Sequence, residues 1–135
     1  MKIWLVIAAA SFAVPAFAGK DERRAMDNLK PYIKEAQDSI KKNCGCSWAI
    51  SVDDKSFTTY DDIKAMQAPL ESYKDKTKEF CTDAASKKAA CKISSLVYKK
   101  GKESSFNISG KKGVNTIGGD WMHIGFDLMA QKMDK

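Results

Sequence analysis

Cys44 and Cys46 stand one glycine apart in the run K-K-N-C-G-C-S-W-A-I, and Cys81 and Cys91 follow further along the chain. Four thiols in this arrangement suit three kinds of chemistry: a zinc site, a redox dithiol, or two structural bridges. Structural zinc is held by C-x2-4-C pairs, whereas the spacings here are C-x-C and C-x9-C. A thiol oxidoreductase carries C-x-x-C at a helix N-terminus, where the dipole lowers the thiol pKa. Cys44 falls instead at the C-terminal end of an expected helix, where the dipole opposes a thiolate. The bridging reading accounts for more: one disulfide from each of Cys44 and Cys46 to the 81–91 segment, and none between the two. Each would close a loop of about 35–47 residues and stabilise by up to ~4 kcal/mol in the chain-entropy model.

Other candidate chemistry is thin. His123 is the only histidine, and no serine lies in G-x-S-x-G, so acyl-transfer catalysis has no support. Asp53-Asp54 and Asp61-Asp62 lack the D-x-[DN]-x-[DN]-G pattern of a calcium loop, and turn-making and helix capping explain them. Gly110-Lys111-Lys112-Gly113 is not a phosphate loop, lacking G-x4-G-K-[ST]. Asn107-Ile108-Ser109 matches a glycosylation sequon. No catalytic residue, cofactor or metal is therefore expected. The candidate binding residues are Trp121, His123 and Asp127, which share one face if the segment around them is a strand.

The elements that position these residues follow from pattern. Lys2, the apolar run 3–14 and Ala16-Phe17-Ala18 have the layout of a secretory signal peptide cleaved before Gly19. The run is below the ~20 residues a membrane span needs. Residues 1–18 are thus read as signal peptide, and 19–135 as one disulfide-stabilised domain. Loss of residues 1–18, with their single lysine, leaves 117 residues, 22 Lys+Arg against 17 Asp+Glu, and a net charge of +5. The charge reads as spread along the chain, with lysines keeping strand ends soluble. Nucleic acid is not an expected partner, because the lysines do not converge with exposed aromatics. An even cysteine count in an exported chain agrees with disulfides.

Met26, Leu29, Ile33, Ala36 and Ile40 form a helical stripe interrupted by Pro31. Because proline inside a helix costs ~3 kcal/mol, a turn over 21–29 and a helix from Pro31 are expected. Ser47–Val52 alternates as a strand. Thr58-Thr59 opens a second helix that kinks or restarts at Pro69, and Thr82-Asp83 caps a third ending near Cys91. Ile93–Tyr98, Ser104–Ser109 and Val114–Ile117 read as strands joined by turns at 99–102 and 110–113. Over 120–134 both periods fit; the Gly118-Gly119 turn favours a strand through about Leu128.

The expected fold is α+β, an antiparallel sheet of four to five strands with N-terminal helices packed on one face and two disulfides. The expected role is an exported, non-enzymatic binding protein of a bacterial periplasm or secreted fraction, of inhibitor or immunity type, whose partner is a protein. The alternatives are an accessory protein binding anionic cell-envelope material, and a thiol oxidoreductase using Cys44 and Cys46.

Overall fold

A computed structural model describes residues 19–118 and 126–133. The first helix, α1, runs unbroken from Lys20 to Cys44, so the break expected at Pro31 does not occur. Pro31 is exposed, and the stripe continues on both sides of it: Ala25, Leu29, Ala36 and Ile40 are all buried. Burying a side chain such as Leu29 stabilises by about 1.5–3 kcal/mol. Losing the first turns of the stripe would cost at least as much as one proline defect. The helix ends at Gly45, whose φ of 83° is the left-handed stop that glycine adopts without strain, and whose N–H donates to the Ile40 and Lys41 carbonyls.

Strand β1 (Ala49–Val52) follows. The chain then crosses through α2 (Tyr60–Lys64), α3 (Gln67–Glu71), α4 (Tyr73–Phe80) and α5 (Ala84–Ala90). Thr59 Oγ1 accepts the Asp62 N–H, and Asp83 Oδ1 accepts the Ser86 N–H at 2.7 Å, as N-caps should. The segment around Pro69 is divided into short helices, in line with the kink expected there. Strands β2 (Ser95–Lys100), β3 (Ser105–Ser109) and β4 (Lys112–Ile117) and helix α6 (Phe126–Met133) complete the described fold.

The fold is α+β with helices packed on a four-stranded sheet, but the sheet is mixed rather than antiparallel. Its order is β1-β2-β4-β3; β1 and β2 are parallel, as are β2 and β4, and only β3 and β4 are antiparallel. The helical crossover over residues 53–94 returns the chain to the end where it began, and that makes the next strand parallel. The second correction lies at 101–104, which skips a lane instead of closing a hairpin. β4 takes the lane between β2 and β3 because it buries Gly113, Asn115 and Ile117 together, whereas Asn107, Ile108 and Ser109 of β3 are exposed and suit an edge.

The third correction concerns the C-terminal segment. Residues 126–128, expected to end a strand, belong to α6. The i, i+3, i+4, i+7 set Phe126, Met129, Ala130 and Met133 is buried throughout, and the helix packs on α4 and α5. Phe126 stands 5.7 Å from the Trp48 ring, 5.5 Å from Tyr73 and 6.0 Å from Phe80. A strand would have buried only every second one of these side chains.

Candidate interaction surface

The cysteines form two bridges, Cys44–Cys81 and Cys46–Cys91, with Cα separations of 5.2 and 5.8 Å. Gly45 turns the chain between them. One bridge ties the end of α1 to the end of α4; the other ties the approach to β1 to the residue after α5. Among the described residues no cysteine is free, and Cys44 and Cys81 are buried. Dithiol chemistry at Cys44 and Cys46 would first require both bridges to open.

The paired acids have local partners. Asp53 Oδ1 accepts the Lys55 N–H at 3.4 Å within a turn. Asp62 lies 3.2 Å from the Lys100 ammonium, in a pair shielded on both sides. Among the described residues no cluster of three or more His, Cys, Asp or Glu side chains could hold a metal ion. Trp121 and His123 lie outside the described residues. Asp127 is on α6, so the strand geometry that would have put it on one face with the other two does not extend to it.

Strand register sorts the sheet into two faces. One row on the covered side is Ile50, Leu96, Gly113 and Ile108; the next is Val52, Tyr98, Asn115 and Phe106. These pack toward the helices, with Ile108 exposed at the β3 edge. Two buried hydroxyls meet here, Tyr73 and Tyr98 at 2.5 Å, and the Asn115 amide donates to Met129 Sδ at 3.6 Å. Burial holds both tyrosines well above the usual phenol pKa. Both therefore stay neutral, and each can share a proton with the other.

The opposite face carries Ala49, Ser95, Lys112 and Ser109 in one row, then Ser51, Val97, Val114 and Asn107, then Lys99, Thr116 and Ser105. All of these are exposed or half-buried. The small side chains make the face flat, with two valines at its centre and a lysine at each end. No strand residue pointing this way is acidic. Lys111 adds charge at the Lys112 end, where its carbonyl accepts the Ser94 N–H at 2.8 Å, and the exposed Lys92 stands two residues before Ser94 in the chain.

The charge is also unevenly divided along the chain. Residues 84–118 contain eight lysines (87, 88, 92, 99, 100, 102, 111 and 112) and one carboxylate, Glu103. Residues 19–83 are within one charge of balance, with 12 Lys+Arg and 13 Asp+Glu. The positive excess belongs to α5, to β2 and β4 and to the turns beside them. The signal was present in the sequence as a window with a single acid. Strand register places Lys99 and Lys112 of that excess on the open face and turns Lys100 to the helix side, where it pairs with Asp62. Comparison with protein-family models, with curated proteins and with solved structures yields no match.

Proposed function

We propose that this is an exported binding protein that docks through the open face of its sheet on an acidic surface of a partner protein, in a role of inhibitor or immunity type. The observation that carries the reading is the make-up of that face. Val97 and Val114 form a flat, half-exposed centre between Lys99 and Lys112. A less polar centre inside a charged rim is the anatomy of a protein interface, and lysines at both ends select an acidic counterpart and speed its approach. Export is supported by the signal-like layout of residues 1–18 and by two bridges, which persist in oxidising compartments. No helix among the described residues is long and apolar enough to cross a membrane.

The test is co-purification from the exported fraction of the native host, using wild type against Lys92→Glu/Lys99→Glu/Lys112→Glu. A partner recovered in fixed stoichiometry by the wild type and lost with the folded triple variant supports the reading. Recovery of anionic envelope polymer instead, falling steeply with salt, would favour the charge-driven alternative. Equal recovery of one protein by both chains would remove the open face as its site. Trp121→Ala and His123→Ala, assayed alongside, test the aromatic anchor expected from sequence.

A further inference from the structure

We infer that the free edge of β1, with the α1 stripe beside it, is a second docking groove that takes an extended, acid-bearing segment of a partner polypeptide by strand addition. Among the described residues β1 is an outer strand of the sheet. Ala49 and Asp53 donate their N–H groups to Ser94 and Tyr98 on the β2 side. Alternation along a parallel strand then turns the backbone groups of Ile50 and Val52 to the other side, away from β2. Gln37 Oε1 of α1 takes the Ile50 N–H at 2.8 Å. Among the described residues, the Val52 N–H and the Ile50 and Val52 carbonyls are the groups on this edge left for an added strand.

The groove is built to hold side chains as well as backbone. A cavity of about 340 Å³ lies between β1 and α1, floored by Met26, Ile33, Ile50 and Val52. Met26 and Ile33 are half-buried and belong to the α1 stripe, and Val52 is half-buried on β1. Large apolar side chains left partly open along a strand edge match the alternate side chains of an extended peptide. The other lining residues are Lys30, Lys34, Gln37 and Ser51, so the charges at the groove are cationic and none of its lining residues is acidic. Lys30 and Lys34 are paired with Asp27 and Asp38 at 3.1 and 2.9 Å, but all four side chains are well exposed. Such pairs contribute little and exchange readily for another carboxylate. The occupant is therefore an extended segment with an apolar residue for the cavity and a carboxylate near Lys30 or Lys34.

This rests on the reading above only in that the partner is a polypeptide; it uses a different surface, so each can fail alone. The probe is a short blocked peptide of alternating Val and Thr with two Glu in place of Thr, titrated into isotope-labelled protein and followed by NMR. A matched peptide with Lys in place of Glu is the control. The expected result is a shift and slowed exchange of the Val52 amide, with the acidic peptide binding roughly tenfold more tightly than the basic one. Ile33→Glu should abolish the effect while keeping the wild-type melting profile. Should Ile33→Glu fail to fold, Lys30→Ala/Lys34→Ala should instead erase the preference between the two peptides. No change at residues 49–53 would overturn the proposal, and so would shifts confined to Val97, Lys99 and Val114.

Discussion

Tyr73 on α4 and Tyr98 on β2 join their hydroxyls at 2.5 Å inside the core, where each is about 1% exposed. The pair links the helical layer to a central strand through one hydrogen bond that water does not reach. Its symmetry makes a clear prediction. Removing one hydroxyl strands the other, at a cost of about 1–3 kcal/mol, whereas removing both leaves nothing unpaired. Tyr73→Phe and Tyr98→Phe should each be less stable in urea than the double variant; additive losses would show that the hydroxyls do not act as a pair.

The same pair gives an alkaline dependence. Both phenols are held above the ordinary value of 10.0, with burial the first cause in each case. Above pH ~10 the unfolded chain loses these protons while the folded chain keeps them, so stability from this source is full below about 10 and falls as pH rises. Urea midpoints for wild type should drop more steeply above that pH than those of Tyr73→Phe/Tyr98→Phe. The comparison between the two chains removes the common contribution of lysine titration.

The bridges should be structural. Cys44→Ser/Cys81→Ser and Cys46→Ser/Cys91→Ser should each lower stability by about 3–4 kcal/mol, because their sequence separations of 37 and 45 residues are similar. Unreduced peptide mapping should connect 44 to 81 and 46 to 91. Two titratable thiols in the native protein would contradict both the pairing and the stability argument.

Pro31 offers a gain. It is exposed in the interior of α1 and cannot donate the i→i−4 hydrogen bond to Asp27. Pro31→Ala restores that bond, but it also frees the unfolded chain. A net stabilisation of about 1–2 kcal/mol is expected. A thermal melt at or below the wild-type midpoint would mean that the proline shapes α1 in a way the core requires.

Gly113 offers the opposite. A Cβ there would lie 3.0 Å from both Ile93 Cδ1 and the Phe106 ring, so both neighbours would have to give by a few tenths of an ångström. Gly113→Val should destabilise by about 1–3 kcal/mol through overpacking, and Gly113→Ala by less. Wild-type stability of the valine variant would show that the β2–β4–β3 layer has slack.

Much of the local structure was legible in the residues themselves. Asp83 caps α5, Thr59 caps α2, Gly45 stops α1 and Trp48 and Ile50 face the core because each depends on neighbours within a turn or on alternation along one strand. The splitting of C-G-C between Cys81 and Cys91 was legible for a related reason. A helix C-terminus opposes a thiolate, and the bridged partners lie at helix ends near one pole.

Three features were decided only by tertiary packing. α1 continues through Pro31 because core burial of Ala25 and Leu29 outweighs a backbone defect whose cost the sequence shows without its compensation. Residues 126–133 are helical because Phe126, Met129, Ala130 and Met133 find α4, α5 and the Trp48–Tyr73 cluster, a choice that two competing periods could not make alone. Lane order in the sheet depends on which strand can be buried on its neighbours, and Gly113 and Asn115 put β4 there instead of β3. That order in turn sets which lysines share a face. The lysine-rich run from 84 to 118, with Glu103 its one acid, was always in the chain, but only strand register put Lys99 and Lys112 on the face on which the proposed function rests.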